Sequence, residues 1–313
     1  MKKLLILLLI TTTLLCGCRK SENTKTQILM DTVCTITADC GEETLDGVFK
    51  LCENYDRLLS PTSPDGEVSM INYYDEMELS PETLEILSQA LYYCQKTGGK
   101  YDITIAAASQ LYDFEKQIVP SDEEAKRVLY KVGYDRIEIK GNWVDLHNTD
   151  IDLGSIAKGY VADKLVKYLK DNGAKNGIVN LGGNVAVFGK AYKVGIQKPF
   201  SDEVMLTVKI KNASAVTSGI YQRCFEKDGK FYHHILDVKT GLPLETELAS
   251  VTVLGEKSSE CDVLSTVCMI LGEEAAKNLI NQTPGYEAVF IKKDYSVSVT
   301  NGLKLNKNEI VYK

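Results

Sequence analysis

Helical and strand-like segments follow one another irregularly along this chain, and this irregularity is what most constrains its fold. Apolar positions recur at helical spacing from Leu45 to Leu58, whereas residues 206–210 alternate between apolar and polar, as in a half-buried strand. The two patterns do not follow each other with the steady rhythm of a doubly wound parallel sheet. The sequence therefore favours the α+β class.

Local signals place individual elements of this α+β fold. A strand is predicted over Leu29 to Ala38, and a helix is predicted to begin after Ser80, with Pro at its first position, and to stop at Gly98-Gly99. Ser121 and the three acidic residues after it indicate the start of a further helix. Other short strands are predicted at 136–139, 143–146, 177–180, 193–196, 206–210, 234–237 and 250–254.

The first seventeen residues differ from the rest of the chain. Lys2 and Lys3 precede an apolar run that is too short to span a bilayer durably, which is typical of an export signal. The sequence Leu15-Cys16-Gly17-Cys18 is similar to the lipobox of bacterial lipoproteins, which predicts cleavage before Cys18 and acylation of that cysteine. An ordinary secretory peptide is the alternative.

The residues after this leader predict a simple domain organisation. They begin with a polar stretch that lacks apolar periodicity, as expected of a tether, and no repeat or linker divides the chain again. We expect a lipoprotein signal peptide at 1–17, a tether at 18–27 and a single compact domain at 28–313. The domain would then be lipid-anchored at the extracytoplasmic face of the cell membrane.

Charge and cysteine usage argue against two kinds of function. Lys and Arg number 36 against 43 Asp and Glu, so the chain lacks the basic excess that binding a nucleic acid requires. No C-x-x-C pair occurs, and seven of the nine cysteines remain when Cys16 and Cys18 are set aside. We expect these seven to be mostly buried small apolar residues and predict no thiolate zinc site.

The first chemical signal is the segment from Ile151 to Gly159. A short strand is predicted to reach the turn at Gly154, where Ser155 can cap a helix and Lys158 lies one turn further on. Unpaired N–H groups at such a helix start favour an anion, so the segment could hold a phosphate. An ordinary capped helix remains the alternative, as a simple hairpin does for the glycine turn in residues 180–184.

A second signal is the start of the apolar helix predicted from Glu260 to Gly272. Asp262, Ser265 and Thr266 have the spacing that places a carboxylate and two hydroxyls on one helix face. Oxygen ligands of this kind suit Mg²⁺, which usually also bridges a substrate phosphate. The alternative is an acidic first turn that complements the helix dipole.

A third signal is the adjacent pair His233-His234, two of only three histidines in the chain. Histidine is the side chain best suited to accept a proton near neutral pH. On an alternating strand the two rings point to opposite faces, so at most one of them should face a site. A hydrogen-bonded histidine at the end of a strand is the alternative.

Together these segments resemble the ApbE family, the FAD:protein FMN transferases. The resemblance covers nearly the whole chain after the leader, with the motifs in family order. Its motifs are Met30-Asp31-Thr32, Gly98 to Thr104, Asp152 to Gly159, Asn180 to Asn184, Val194 to Pro199, Thr217 to Tyr221, His234 to Pro243 and Asp262 to Thr266.

The resemblance implies an α+β fold that binds FAD in a cleft, with Mg²⁺ at the pyrophosphate. The FAD contacts that it implies are Met30, Thr62, Lys100, Tyr101, Asp102, Asp152, Lys158 and Leu236. The implied metal ligands are the main-chain carbonyl of Ser155 and the side chains of Asp262, Ser265 and Thr266. His234 falls at the family's candidate catalytic base, and Asp262 is assigned to catalysis as well as to the metal.

Three positions depart from the family pattern. Thr62 lies where many members have an aromatic residue against a ring of FAD, which puts ring stacking there in doubt. Ile220 replaces a frequent acid, and Val238 replaces the usual proline.

The activity that the resemblance implies is Mg²⁺-dependent transfer of FMN from FAD to a Thr or Ser hydroxyl of an acceptor protein, with release of AMP. The family and the export signal together point to an electron-transfer subunit as the acceptor. Two alternatives remain open: an FAD pyrophosphatase, in which water is the nucleophile, and a flavin-binding lipoprotein without catalysis.

Overall fold

A computed structural model describes residues 22–313. The helices are α1 (Glu42–Leu59), α2 (Glu67–Tyr74), α3 (Pro81–Lys96), α4 (Ala106–Ser109), α5 (Asp122–Val128), α6 (Gly154–Asp171), α7 (Ser258–Leu271) and α8 (Glu273–Asn281). The strands are β1 (Asn23–Leu29), β2 (Thr32–Ala38), β3 (Glu76–Glu78), β4 (Glu138–Lys140), β5 (Trp143–Asp145), β6 (Gly177–Leu181), β7 (Asn184–Phe188), β8 (Tyr192–Gln197), β9 (Val204–Ile210), β10 (Ala213–Gly219), β11 (Cys224–Lys227), β12 (Lys230–His233), β13 (Leu248–Gly255), β14 (Glu287–Lys292), β15 (Val297–Val299), β16 (Leu303–Asn306) and β17 (Glu309–Tyr312).

An eight-stranded antiparallel sheet organises the fold, in the order β1-β2-β6-β7-β10-β13-β14-β15. Strand β7 is buried along its whole length because both of its faces are covered. Ala186 and Phe188 face the core shared with the helices, whereas Val185 and Val187 face a second core, shared with the four-stranded sheet β16-β17-β9-β8. The large sheet is therefore the middle layer of the molecule.

Helices α6 and α7 pack against each other without room for a side chain at their crossing. A Cβ atom at Gly159 of α6 would lie 2.3 Å from the main-chain oxygen of Ser258 and 2.7 Å from Cβ of Asp262, both on α7. Glycine is therefore required there by close approach. The crossing places the start of α6 beside the start of α7.

The α+β prediction and its single compact domain are confirmed, and so are the helix starts with side-chain caps. The Ser80 hydroxyl accepts a hydrogen bond from the N–H of Thr83 at 3.3 Å, and Pro81 is the first residue of α3. Ser121 and Glu124 form the expected capping box of α5. Of the seven cysteines that follow Cys18, six are buried, as expected, and Cys224 is half-buried.

The predicted start of the domain near Ile28 is too late. Strand β1 already begins at Asn23 and pairs with β2, so residues 23–27 belong to the sheet and not to a tether. Its alternate residues include Thr24 and Thr26, whose hydroxyls pair with threonines of β2. Because an edge strand with polar side chains on an exposed surface has no apolar periodicity, the sequence pattern did not reveal it.

Three other local predictions are wrong. The strand predicted over 29–38 is broken by a turn at Met30-Asp31, where both residues have positive φ. Residues 151–153 are not a strand, and neither are residues 234–237, because the strand that contains His233 ends there. Short apolar stretches look alike in strands and in buried loops, and only their partners distinguish them.

The predicted leader at 1–17 and the predicted acylation site Cys18 lie outside the described residues. Within residues 22–313, no helix combines the length and apolar character needed to cross a membrane.

Candidate active site

A cavity of about 1050 Å³ lies where the starts of α6 and α7 meet the middle sheet. Its walls bring together most of the residues predicted from the sequence, although these come from distant parts of the chain. The predicted residues that line it are Met30, Thr62, Tyr101, Asp102, Asp152, Ser155, Lys158, His234, Leu236, Asp262 and Thr266.

Two predicted residues do not line the cavity. The side chain of Lys100 is exposed to solvent and is not part of the wall. Ser265 is fully buried behind the wall, where its hydroxyl donates to the main-chain oxygen of Asp262 at 2.8 Å. The structure therefore separates both residues from the cavity surface.

The carboxylate of Asp262 is buried at the floor of the cavity. Its Oδ2 atom accepts a hydrogen bond from the N–H of Gly159 at 2.7 Å. Burial raises the pKa of Asp262 to about 6, although the positive charge of Lys158 and the N–H of Gly159 both oppose this shift. A divalent metal ion bound to this carboxylate would stabilise its charged form, which burial disfavours.

Three hydroxyl groups gather next to this carboxylate. The Oγ atom of Ser218 on β10 lies 2.6 Å from Oγ of Ser265 and 3.0 Å from Oγ1 of Thr266. Thr266 and Ser218 line the cavity, and Ser265 connects them to the backbone of α7. The hydroxyl cluster therefore supplies neutral oxygen atoms around a single carboxylate.

The start of α6 differs from the capped helix that the sequence predicts. Leu153 is the N-cap, and Ser155 is the second residue of the helix, so Ser155 does not cap it. Its hydroxyl instead forms a hydrogen bond of 2.7 Å with the hydroxyl of Tyr101. The turn before the helix is held by Asp152, whose Oδ1 atom accepts from the N–H of Gly154 at 2.7 Å.

The main-chain carbonyl of Ser155 also has an unusual setting. In a regular α-helix it accepts from the N–H four residues later, which here belongs to Gly159. That N–H donates to Asp262, so the Ser155 carbonyl competes with a carboxylate for its helical partner. The carboxylate of Asp262 is therefore held at the first turns of α6, where the Ser155 carbonyl also lies.

His234 lines the cavity directly after the end of β12. Its Nδ1 atom lies 3.3 Å from the main-chain oxygen of Arg223, and its N–H donates to that same oxygen at 3.2 Å. Because a carbonyl can only accept, the proton is on Nδ1 and the Nε2 atom is left as a proton acceptor. Burial lowers the pKa of His234 to about 4, and the charge of Arg223 acts in the same direction.

His233 points away from the cavity, as the alternation of a strand predicts. It is buried, and its Nε2 atom lies 3.1 Å from the main-chain oxygen of Leu244. His234 is therefore the histidine of the pair that faces the site.

The carboxylate of Asp102 is used within the fold. Its Oδ1 atom accepts from the N–H and the hydroxyl of Thr104, and its Oδ2 atom accepts from the N–H of Tyr134 at 3.1 Å. The side chain thus fixes the loop that carries Tyr101. We interpret Asp102 as a residue that shapes the cavity wall.

The structure adds cavity residues that the sequence did not indicate. The guanidinium carbon of Arg223 lies 5.7 Å from the ring centre of Phe114, and both residues line the cavity. Tyr112 stacks on Phe114 nearby. Arg223 lies far from Tyr112 and Phe114 in the sequence and shares no motif with them, so no spacing rule could have grouped the three.

The donor set defines what this cavity can hold. Within residues 22–313, no three His, Cys, Asp or Glu side chains form a metal cluster. Asp262, the hydroxyl cluster and the Ser155 carbonyl provide hard oxygen donors with only one negative charge. Such a set suits a Mg²⁺ ion that also binds substrate phosphate.

Comparisons with known proteins show which sequences this chain is similar to. The model of the ApbE family matches residues 30–290. The FAD:protein FMN transferase of Treponema pallidum is 29% identical over 92% of this chain and 90% of that protein. A protein of the same name from Klebsiella pneumoniae is 30% identical over 82% of this chain and 85% of its own length.

Solved structures show the same architecture. The crystal structure of the ApbE protein from Thermotoga maritima has a TM-score of 0.83 at 25% identity, over 90% of this chain and 97% of that one. The apo form of the Pseudomonas stutzeri flavinyl transferase ApbE has a TM-score of 0.79 at 24% identity, over 90% and 95% of the two chains. On the family match and these relatives, the chain belongs to the ApbE family.

Proposed function

We propose that this protein is an FAD:protein FMN transferase. It transfers FMN from FAD to the hydroxyl of a Thr or Ser residue in an acceptor protein, forms a phosphoester bond and releases AMP. The names of its relatives support flavin transfer, and the family implies the acceptor chemistry. The observation that carries the proposal is that His234, Lys158 and Asp262 line one cavity in a chain of this family.

The cavity suits FAD in size and chemistry. Its volume of about 1050 Å³ is at the upper end for small-molecule sites, which leaves room for a dinucleotide. Its walls combine aromatic rings, such as Tyr101 and Phe114, with the cations Lys158 and Arg223. The aromatic rings can stack against the ring systems of FAD, and the cations can bind its two phosphates.

The same cavity suits Mg²⁺. We propose that Asp262, Thr266 and the carbonyl of Ser155 hold the ion. The predicted ligand Ser265 supports them indirectly, through its hydrogen bonds to Ser218 and to the main-chain oxygen of Asp262. One carboxylate and neutral oxygens leave coordination positions for phosphate oxygens and water, as Mg²⁺ prefers. When bound, Mg²⁺ would neutralise charge on the pyrophosphate and help AMP to leave.

We assign separate roles in the transfer to His234 and Lys158. Nε2 of His234 accepts the proton of the attacking hydroxyl, since the carbonyl of Arg223 holds the proton on Nδ1. With a pKa of about 4, His234 stays neutral at physiological pH and is ready to accept that proton. Lys158 lies one turn into α6 and places a positive charge near the phosphates.

We also propose that the enzyme is anchored by a lipid on Cys18 and acts outside the cytoplasm. The support is the lipobox-like sequence, which lies outside the described residues. An electron-transfer subunit at the same membrane face would be a suitable acceptor.

Incubation with FAD, Mg²⁺ and a candidate acceptor, followed by intact mass measurement, tests the activity. An increase of one FMN in the acceptor mass, together with AMP, supports the transferase. AMP and free FMN without labelled acceptor would instead indicate a pyrophosphatase, and unchanged FAD would indicate a flavin-binding protein.

A further inference from the structure

Asn184, the first residue of β7, has a buried polar group without a partner. The residue is 1% exposed, and its Nδ2 atom makes no hydrogen bond within residues 22–313. Leaving a buried donor unpaired is unfavourable, so an acceptor for it is expected in the working enzyme.

The other end of this amide is fixed. The hydroxyl of Ser258 donates to Oδ1 of Asn184 at 2.5 Å. Ser258 is the first residue of α7, and its N–H donates to Oδ1 of Asp163 at 2.8 Å. The amide oxygen is therefore bound to a residue that is itself anchored on α6.

The geometry of α7 identifies what the free end faces. Ser258 and Asp262 are four residues apart and lie on the same face of the helix, which is the face that Gly159 touches. Asn184 and Asp262 both line the cavity, and Asp262 follows one turn along α7 from the Ser258 hydroxyl that binds Oδ1 of Asn184. The effect of the Asn184 amide on Asp262, whose pKa it lowers, agrees with this placement.

We propose that Asn184 is a positioning residue that holds the carboxylate of Asp262 in place for a divalent cation. Gly159 holds Oδ2 of Asp262 through its N–H. Nδ2 of Asn184, which has no partner within residues 22–313, donates to the carboxylate from the β7 side when the cation is bound. With both restraints the carboxylate keeps one orientation toward the cavity, which reduces the entropy lost when the metal binds. This inference rests on the metal site of the proposed function.

The test measures metal binding directly. Mn²⁺ is titrated into the full-length protein, alone and with FAD, and the free ion is followed by electron paramagnetic resonance. The main variant combines Asn184→Leu with Ser258→Ala, which removes both hydrogen-bonding partners and leaves no orphan hydroxyl. Asn172→Ala, at the exposed far end of α6, is the control for loss of an asparagine.

We expect the double variant to bind Mn²⁺ about 10- to 100-fold more weakly, as is usual when a group that orients a ligand is lost. Its affinity for FAD in EDTA, measured by flavin fluorescence, should equal that of the wild type. Ser258→Ala alone keeps the amide but frees its oxygen end, so a smaller loss is expected.

Two results would overturn the inference in different ways. If the wild type binds Mn²⁺ and the double variant binds it equally well, Asn184 does not position Asp262, whereas the proposed function stands. If the wild type binds no Mn²⁺ even with FAD, the metal site of the proposed function fails and the inference fails with it. Should the double variant not fold, unchanged Mn²⁺ affinity in Ser258→Ala overturns the inference.

Discussion

The ring of His234 is hydrogen-bonded through Nδ1 to the main-chain oxygen, 3.3 Å away, of Arg223, which directly precedes the β11–β12 hairpin. A main-chain carbonyl fixes the tautomer more firmly than a mobile side chain would, because the ladder of the hairpin holds it. The same residue contributes its guanidinium group to the cavity wall. One residue thus orients the proposed base through its backbone and adds a positive charge through its side chain.

His234→Ala should reduce FMN transfer by about two to four orders of magnitude, because the proton acceptor is lost. Affinity for FAD should hardly change, since Lys158, which we propose as the cation that binds the phosphates, remains. Initial rates and equilibrium flavin binding measure the two effects. His233→Ala is the matched control, and a larger loss of activity in that variant, if it stays folded, would contradict the assignment of His234.

Asp262→Ala should abolish Mg²⁺-dependent turnover. The remaining hydroxyl and carbonyl oxygens are neutral and cannot offset the cost of removing water from Mg²⁺. The measurement is the rate as a function of Mg²⁺ concentration, with Glu256→Gln, an exposed carboxylate just before α7, as the control. Full activity of Asp262→Ala at high Mg²⁺ would exclude Asp262 as a ligand.

Gly159→Ala should destabilise the protein, although alanine is the better helix former by about 1 kcal/mol. The new methyl group would lie 2.3 Å from the backbone oxygen of Ser258, so α6 and α7 must move apart. We expect a net loss of about 1–3 kcal/mol in the free energy of unfolding, as for other overpacked sites. Urea denaturation measures it, and an unchanged or higher midpoint would show that the helix crossing can relax.

Glu273→Gln tests a pH dependence of stability away from the cavity. Hydrogen bonds from Lys277, Ser298 and Lys292 lower the pKa of Glu273 from 4.5 to about 2. A lowered folded-state pKa stabilises the protein above pH 4.5, and this contribution is lost as the pH falls toward 2.

At pH 7 the Glu273→Gln variant should therefore have a lower free energy of unfolding. The loss should be only about 1 kcal/mol, because solvent screens charge pairs near the surface. The difference should shrink below pH 4.5 and vanish near pH 2. Thermal melts across this range provide the measurement. A difference that does not change with pH would show that the charge of Glu273 is not the cause.

Cys18→Ser should abolish acylation and release the enzyme from membranes. Activity on soluble FAD should remain, because the described domain begins several residues later. Detergent partitioning and the mass of the N-terminal peptide provide the readout. An unmodified N-terminus at Cys18 in the wild type would refute the lipid anchor and leave the flavin chemistry untouched.

Features that depend on neighbouring residues were predictable from the sequence. The caps of α3 and α5 follow from Ser80 and Ser121, since a cap needs only a side chain and the next few N–H groups. The sequence also predicted that only one of His233 and His234 faces the site, although the strand ends between them, and helical spacing put Asp262 and Thr266 on one face of α7. The order of motifs was enough to indicate the family.

Tertiary structure alone decided the features that depend on distant partners. The N–H of Gly159 donates to Asp262, which no local rule predicts, because that carboxylate belongs to another helix. For the same reason Ser155 pairs with Tyr101 instead of capping α6, and Ser265 lies behind the wall instead of on it. Arg223 and Phe114 meet only because the chain returns to the same cavity, and long-range packing of that kind leaves no periodic trace in the sequence.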